Sequence, residues 1–260
     1  PCSTDYWYAR VCKNQSGMSE CELEKAMLRA LKREVPQMCS VTMERACNLQ
    51  CRHCLYRPEK SSEALSRAEI ILRAVEQIPG HAPRLLHDGR IIRPWHVDVL
   101  AEARRRRHNL CIGLIDNGTY VSILDDFRRQ NFVLDWLDIS LDGPEDIHNL
   151  QRGNVHAYRD AMIGLRHARD VTSTSSHGGR VTSLFTLTSM NHQSFEATAD
   201  ILFSSSEQPL IDQLHLTTMS PTRAELAPHE LNDFDTFWPQ AKHVFKRYGY
   251  DTGGRQRVFF

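Results

Sequence analysis

Hydrophobic positions along the chain alternate between two spacings from residue 39 onward. Short apolar runs rich in β-branched residues are typical of buried strands. Each is followed by a longer stretch in which apolar residues recur every three or four positions, as on one face of a helix. The predicted strands are Cys39–Glu44, Arg84–His87, Cys111–Asp116, Trp136–Leu141, Val181–Thr188 and Gln213–Thr218. Because strands and helices alternate, the pattern predicts an α/β fold with a parallel sheet and right-handed crossovers.

Helix start and stop signals lie between these strands. Ser66 precedes Glu69 by three positions, as in a capping box, and Pro94 opens the next helix, which ends in the basic run Arg104–Arg107. Gly249 is a stop signal for the last helix. The other helices are predicted at Val121–Gln130, Ala157–Ala168, Phe195–Phe203 and Leu231–Tyr248. Whether such a sheet stays flat or curls into a barrel, ligands bind at the carboxyl ends of its strands.

Composition and charge exclude several classes of protein. The chain has 260 residues, of which 41% are hydrophobic and 25% are charged, so it is not a disordered protein. Basic and acidic residues both total 32, and the zero net charge disfavours a nucleic-acid partner. No apolar run approaches the roughly 20 residues that span a bilayer, and the first residues lack the pattern of a secretory signal. We therefore expect a cytoplasmic protein that does not bind membranes.

The cysteines indicate a metal site. All 8 lie within the first 111 residues, and Cys47, Cys51 and Cys54 follow the first predicted strand as C-x3-C-x2-C. Three thiolates on a tight loop can face one centre, and thiolates select zinc or iron–sulfur clusters. A missing fourth cysteine leaves one metal position open. The alternatives are a structural zinc knuckle, to which His53 would supply the fourth ligand, and a ferredoxin-like electron carrier. Neither the zinc knuckle nor the electron carrier explains why the chain contains a series of β–α units.

Through this triad, with the ring of His53 before the last cysteine, the sequence resembles the radical SAM superfamily. The resemblance implies a partial (β/α)6 TIM-type barrel in which Cys47, Cys51 and Cys54 hold a [4Fe–4S] cluster. It also implies that the fourth iron binds S-adenosylmethionine, which the reduced cluster cleaves to a 5′-deoxyadenosyl radical that abstracts hydrogen from a substrate. An external one-electron reductant such as flavodoxin or ferredoxin is then an expected partner.

The same resemblance divides the chain into three parts. Residues 1–38 are an N-terminal extension with one helix near Glu22–Arg33, residues 39–250 form the barrel, and residues 251–260 are a C-terminal tail that we interpret as the start of a further segment. A second cluster in the extension is disfavoured by the loose spacing of the cysteines there, which are Cys2, Cys12 and Cys21.

A second motif refines the resemblance. The run from Ser140 through Asp142, followed by His148 and Arg152-Gly153, resembles the Ser-x-Asp-Gly…His…Arg-Gly pattern of the SPASM-type, peptide-modifying branch. It implies that Ser140 and Arg152 bind the ribose or carboxylate of the cofactor, and a guanidinium fork suits a carboxylate. Read without the family, the same run is an ordinary helix start. The other positions expected to bind the cofactor are His53, Asp88, Gly89, Asn117, Thr188, Asn191, Leu216 and Thr218. At Asp88-Gly89 the chain departs from the Gly-Gly-Glu-Pro-like loop of the family, because the glutamate is absent.

The branch favours a peptide that is modified after translation as the substrate. A carbohydrate or antibiotic intermediate is the alternative for the same chemistry, and a non-catalytic zinc or iron–sulfur scaffold is the alternative of another class. Many SPASM-type enzymes carry a C-terminal cysteine-rich domain, but no cysteine follows Cys111, so this chain is either trimmed or a minimal version. The residue that donates or removes a second hydrogen is unassigned, with Asp142, His215, Cys111 and Tyr120 as candidates.

Overall fold

A seven-stranded parallel sheet organises the described part of the chain. The computed structural model describes residues 38–43, 47–54, 64–78, 83–88, 92–204, 209–218, 228–231 and 234–259. Within these ranges the strands are hydrogen-bonded in chain order, and the first and last are not paired with each other, so the sheet is open. They are β1 (Met38–Val41), β2 (Arg84–Asp88), β3 (Cys111–Asp116), β4 (Trp136–Ser140), β5 (Arg180–Leu187), β6 (Gln213–Thr218) and β7 (Val258–Phe259). The predicted α/β class with a parallel sheet is confirmed.

Helices connect successive strands. The α-helices of the described residues are α1 (Ala64–Gln77), α2 (Pro94–Arg106), α3 (Leu124–Arg129), α4 (Glu145–Arg152), α5 (Ala157–Thr172), α6 (Phe195–Phe203) and α7 (Trp238–Tyr248). A 3-10 helix, Thr119–Ile123, precedes α3. Every helix in this part of the chain is too short or too polar to traverse a lipid bilayer. The helix predicted near Glu22–Arg33 and the cysteines of the extension lie outside the described residues.

The two faces of the sheet differ in burial, because alternate residues of a strand point to opposite sides. On one face, Leu137 and Phe185 are fully buried, and the Phe185 ring meets that of Phe195 on α6 edge to face with centroids 5.1 Å apart. On the other, which we call the open face, Ser140 is half-buried and Thr217 is exposed. The hydrophobic core therefore lies between the sheet and the helices, and the open face is accessible to a ligand.

A tryptophan covers part of the amino end of the open face. The indole of Trp136 packs on β3, where a Cβ on Gly113 would sit 1.8 Å from the ring, so only glycine fits. Asp138 lies beside it and accepts hydrogen bonds from Trp136 and Thr182. Burial raises the pKa of Asp138 to about 7. Because ligands of parallel α/β sheets bind at the carboxyl ends of the strands, we expect a ligand to reach the open face from that side.

Several elements depart from the sequence-based expectation. Helix α1 begins at Ala64, so Ser66 lies inside it and does not cap it, and α5 continues past Ala168 to Thr172. Strand β7 was not predicted, because two residues are too few to show an alternating pattern, yet it pairs with β6. The helix predicted at Val121–Gln130 divides into the 3-10 turn and the short α3. The last helix begins at Trp238 rather than Leu231, with Pro239 in its first turn, where the missing N–H of proline is tolerated.

Candidate functional site

The cysteine loop, residues 47–54, lies against the end of α4 at the carboxyl edge of the sheet. Gln50 N donates to the Arg152 carbonyl at 3.2 Å, and Arg52 N donates to the Gln151 carbonyl at 2.9 Å. Cys54 N donates to the Cys51 carbonyl at 3.2 Å and closes a turn between two of the thiols. The loop is therefore held by backbone contacts to a helix that is distant in sequence.

A glycine makes this close approach possible. Gly153 caps α4 in the left-handed region with a φ of 64°. A Cβ at this position would lie 2.5 Å from the carbonyl oxygen of Gln50. Both the backbone conformation and the available space therefore require glycine.

The three loop thiols are suited to bind a metal centre. Cys47, Cys51 and Cys54 are all half-buried, and none of them forms a disulfide within the described residues. Three thiolates on one loop can bind an iron–sulfur cluster or a zinc ion.

Arg152 connects the loop to a buried carboxylate. Its Nη1 lies 3.9 Å from Cys51 Sγ, and its Nε donates to Asp142 Oδ2 at 2.6 Å. Burial opposes the charge of Asp142, but the nearby charges, chiefly that of Arg152, outweigh it and hold the pKa of Asp142 below its usual value. Burial raises the pKa of Cys51, and Arg152 opposes that rise. The ionised pair thus places a guanidinium beside a candidate metal ligand.

A hydrogen-bond network fixes Asp142. Its Oδ1 accepts from Thr186 N at 2.9 Å, and its own N–H donates to His148 Nδ1 at 2.9 Å. Burial lowers the pKa of His148 to about 3, so the neutral ring accepts this bond. Asn191 Nδ2 donates to the carbonyls of Asp142 and Thr186 at 3.0 and 2.9 Å, while its Oδ1 accepts from Thr188 N at 2.8 Å. Thr188 and Asn191 are thus bonded to protein groups, and their binding of adenosine stays a prediction.

Two polar side chains at the cysteine loop, His53 within it and Asn117 beside it, have buried atoms without a partner among the described residues. His53 is 8% exposed, and its Nδ1 has no hydrogen bond within the described residues. Burial lowers the pKa of His53 to about 4, so the ring is neutral. Asn117 Nδ2 donates to Asn48 Oδ1 at 2.8 Å, but its Oδ1 is likewise without a partner in the part of the chain that is described. Buried polar atoms are nearly always hydrogen-bonded, so these two atoms are candidate contacts for a ligand at this edge.

The turn that carries Asn117 packs backbone to backbone on α5. Gly118 has a φ of 96°, and a Cβ there would lie 2.3 Å from the Asp160 carbonyl oxygen. A Cβ on Gly164 of α5 would lie 2.7 Å from the Cα of Gly118. Two glycines thus let the strand end meet the helix directly and fix the position of Asn117.

The remaining predicted cofactor residues divide between the two faces. Ser140 ends β4 on the open face, and Asp88 ends β2, and both are half-buried. Leu216 is half-buried and packs against the hydrophobic core, and Thr218 is exposed. By strand alternation both point to the helical face, away from the open one. Gly89 lies outside the described residues.

The structure separates the four candidates for the second hydrogen transfer. Asp142 lies at the loop but is fully buried and paired with Arg152. His215 faces the open face, where its ring meets that of Phe259 with centroids 5.0 Å apart. Tyr120 is fully buried and donates its hydroxyl hydrogen to the Gly164 carbonyl at 2.5 Å, on the helical side. Cys111 begins β3 at the opposite edge.

Sequence reasoning missed two residues of the site. Gln151 is fully buried; it accepts from the Thr188 hydroxyl at 2.8 Å and donates to the Thr186 carbonyl at 3.1 Å. Asn48 joins the loop to Asn117. Both lie inside motifs that the sequence analysis singled out, but the motifs give no sign of their roles, because each acts on a partner that is distant in the chain.

Comparisons with solved structures agree on the fold. No family model matches the chain, and no curated protein does. SuiB from Streptococcus suis bound to its precursor peptide SuiA superposes with a TM-score of 0.59 at 12% identity, over 91% of this chain and 53% of SuiB. HemN, the coproporphyrinogen III oxidase of Escherichia coli, a radical SAM enzyme, gives 0.56 at 16%, over 89% and 58%. The anSMEcpe structure with AdoMet and a Cp18Cys peptide gives 0.53 at 17%, over 85% and 63%.

The chain shares the fold of these proteins, of which HemN is a radical SAM enzyme. At identities of 12 to 17% the similarity establishes the architecture, and the partial barrel expected from the cysteine motif is confirmed. The chain spans between 53% and 63% of the lengths of these neighbours.

Proposed function

We propose that this chain is the catalytic barrel of a radical SAM enzyme that modifies a peptide. The observation that carries the proposal is the cysteine loop: three thiols in C-x3-C-x2-C spacing lie at the carboxyl edge of an open parallel barrel, with Arg152 beside Cys51. Neighbours that contain S-adenosylmethionine, SuiB and anSMEcpe, support the same cofactor here.

The residues present fit a [4Fe–4S] cluster held by Cys47, Cys51 and Cys54. When bound with S-adenosylmethionine, such a cluster supplies the electron that cleaves the sulfonium and yields the radical that takes hydrogen from a substrate. The chain contributes donors to two of the thiolates, because Leu49 N lies 3.4 Å from Cys47 Sγ and the Arg152 guanidinium lies 3.9 Å from Cys51 Sγ. Such donors stabilise the negative charge of a bound cluster.

Side chains beside the loop are suited to bind the cofactor. Within the described residues, the unpartnered Oδ1 of Asn117 matches an N–H donor such as an ammonium or an adenine amino group. The Nδ1 of neutral His53 matches a donor or an acceptor, according to its tautomer. Arg152 matches the cofactor carboxylate, and Ser140 lies on the same open face. We retain these residues, with Asp88 and Gly89, as the proposed cofactor contacts.

A peptide is the substrate class that the neighbours favour. SuiB is bound to a precursor peptide and anSMEcpe to a Cp18Cys peptide. In the described residues the open face is rimmed by half-buried or exposed side chains at the carboxyl ends of β4 to β6, which suits a substrate that enters from solvent. An external one-electron reductant and a cytoplasmic location complete the proposal.

The decisive experiment uses protein reconstituted with iron and sulfide under anaerobic conditions. We expect its electron paramagnetic resonance spectrum to change when S-adenosylmethionine is added, and 5′-deoxyadenosine to form once dithionite is present. Cys51→Ser should abolish both results, whereas Cys39→Ser, a matched half-buried cysteine on β1, should leave them intact. A spectrum that does not respond to S-adenosylmethionine, or zinc in place of iron, would identify a non-catalytic scaffold.

The substrate class is tested separately. Short peptides encoded by neighbouring genes are incubated with the reduced enzyme and S-adenosylmethionine, and peptide masses are recorded. We expect one peptide to change in mass and to increase 5′-deoxyadenosine formation. Stimulation by a carbohydrate or antibiotic precursor instead would exclude the peptide assignment but leave the radical chemistry standing.

A further inference from the structure

A second group of metal-ligating side chains lies at the amino edge of the sheet, opposite the cysteine loop. Cys111 is the first residue of β3, Asp135 immediately precedes β4, and His177 lies in the turn before β5. Their ligand atoms all lie within 4.8 Å of one another. We call these three residues the amino-end cluster, and their arrangement is independent of the proposed function.

Asp135 is fixed within this cluster. Its Oδ2 accepts from Arg104 Nη2 at 2.6 Å and from Ile112 N at 2.5 Å. Its Oδ1 lies 2.9 Å from His177 Nδ1 and accepts from Ser175 Oγ at 2.5 Å. Oδ2 is therefore committed to Arg104 and β3, and Oδ1 is shared between Ser175 and His177.

We infer that the amino-end cluster binds a zinc ion through Cys111 Sγ, Asp135 Oδ1 and one ring nitrogen of His177, with water as the fourth ligand. A thiolate, an imidazole and a carboxylate are the three ligand types that zinc accepts, at bond lengths of about 2.0–2.3 Å. These lengths place ligand atoms about 3.3–3.8 Å apart, so separations below 4.8 Å need only small side-chain movements.

Binding requires one deprotonation. Cys111 binds zinc as a thiolate, so the thiol loses its proton on binding. Zinc displaces that proton to solvent and replaces the hydrogen bond between His177 and Asp135. Arg84 and Arg104 also act on Cys111, and their positive charges oppose a cation. We therefore expect weaker binding than at a four-ligand structural zinc site.

The cluster is accessible and has a structural consequence. The His177 side chain is 31% exposed and Cys111 is half-buried, so an ion reaches the ligands from solvent. Bound zinc joins the amino ends of β3 and β4 to the turn before β5. It therefore stabilises the amino end of the barrel.

The test uses the reconstituted holoprotein, in which iron and sulfide occupy the loop thiols. The protein is dialysed against zinc sulfate, zinc content is measured by mass spectrometry, and the ligand shell by zinc-edge X-ray absorption. We expect one zinc per chain with one sulfur ligand at about 2.3 Å. Cys111→Ser and His177→Ala should each weaken zinc binding at least about 100-fold, since each removes a ligand. Cys39→Ser should retain it.

Three outcomes would overturn the inference. The first is the absence of bound zinc, which would mean that the amino-end cluster is held together by hydrogen bonds alone. The second is zinc with three sulfur ligands that is insensitive to Cys111→Ser, which would place the ion on the cysteine loop. The third is zinc retained by His177→Ala. His177 is on the surface, so this variant keeps the test open if Cys111→Ser fails to fold.

Discussion

Each end of the barrel contains a buried carboxylate paired with an arginine, and the two pairs have different roles. At each end a buried carboxylate is bonded to an arginine at 2.6 Å: Asp142 with Arg152 at the carboxyl edge, and Asp135 with Arg104 at the amino edge. At the amino edge the other carboxylate oxygen is bonded to the turn before β5, so that pair stabilises the barrel. At the carboxyl edge the arginine extends to Cys51, so that pair directs positive charge at the cysteine loop.

The largest expected effect comes from removing one carboxylate charge at either end. Asp142→Asn leaves Arg152, whose side chain is 9% exposed, without its buried partner and should lower the free energy of unfolding by about 3–5 kcal/mol. Asp135→Asn should cost less, because the Arg104 side chain is 19% exposed and water compensates part of the loss. Urea unfolding measures both variants.

The cluster spectrum separates the two roles of these pairs. In reconstituted protein, Asp142→Asn should shift the paramagnetic resonance spectrum, and Asp135→Asn should not. Equal spectra in the two variants would contradict the view that only the carboxyl-edge arginine acts on the cluster loop.

Glycine positions give the next largest effect. Gly153 and Gly178 both have positive φ, 64° and 74°, but an added Cβ meets Gln50 at Gly153 and nothing within 4 Å at Gly178. Either alanine substitution should cost about 1–3 kcal/mol of backbone strain. Only Gly153→Ala should also displace the loop and lower the iron content after reconstitution. Comparable iron contents would show that the contact with Gln50 does not position the thiols.

A pH dependence specific to the carboxyl edge comes from His148. Its pKa is about 3 in the fold against 6.5 in the unfolded chain, so below pH 6.5 the unfolded state takes up a proton that the folded state refuses. The stability that this neutral ring contributes is complete above pH 6.5 and is lost as the pH falls towards 3. His148→Gln should therefore reduce the slope of unfolding free energy against pH, between pH 6.5 and 4.5, by up to about 1.4 kcal/mol per unit. Parallel curves for the two proteins would refute this.

The smallest effect tests the hydrogen bond between Asn117 and Asn48. Because this bond is exposed, Asn117→Ala should lower the free energy of unfolding by about 0.5–1 kcal/mol. Asn48→Ala should have a similar effect, and the double variant should cost less than the sum of the two. Strict additivity in urea unfolding would show that the two amides are not coupled.

Hydrophobic periodicity was sufficient to predict every strand except β7, and the spacing of the cysteines was sufficient to predict the cysteine loop. Strands β2 to β6 agree with the prediction to within about one residue, because each is an apolar run long enough to show its period. The triad was visible because its three ligands are close in sequence. Strand β7 escaped prediction because its stability depends on pairing with β6 and not on its own two residues.

Contacts between distant segments were beyond sequence reasoning. The motif around Asp142 and Arg152 suggested cofactor ligands, yet nothing in it shows that the two side chains pair with each other or that Arg152 reaches Cys51. The amino-end cluster joins three segments with no common motif. Such sites depend on strand register, which the sequence leaves open.

The contact between Gly118 and Gly164 has a mechanical consequence. Since main chain touches main chain there, no rotamer can absorb a shift of α5. A displacement of that helix therefore moves the strand end that carries Asn117, whose amide is bonded to Asn48 of the cysteine loop. Motion of α5 is in this way coupled to the segment that carries the thiols.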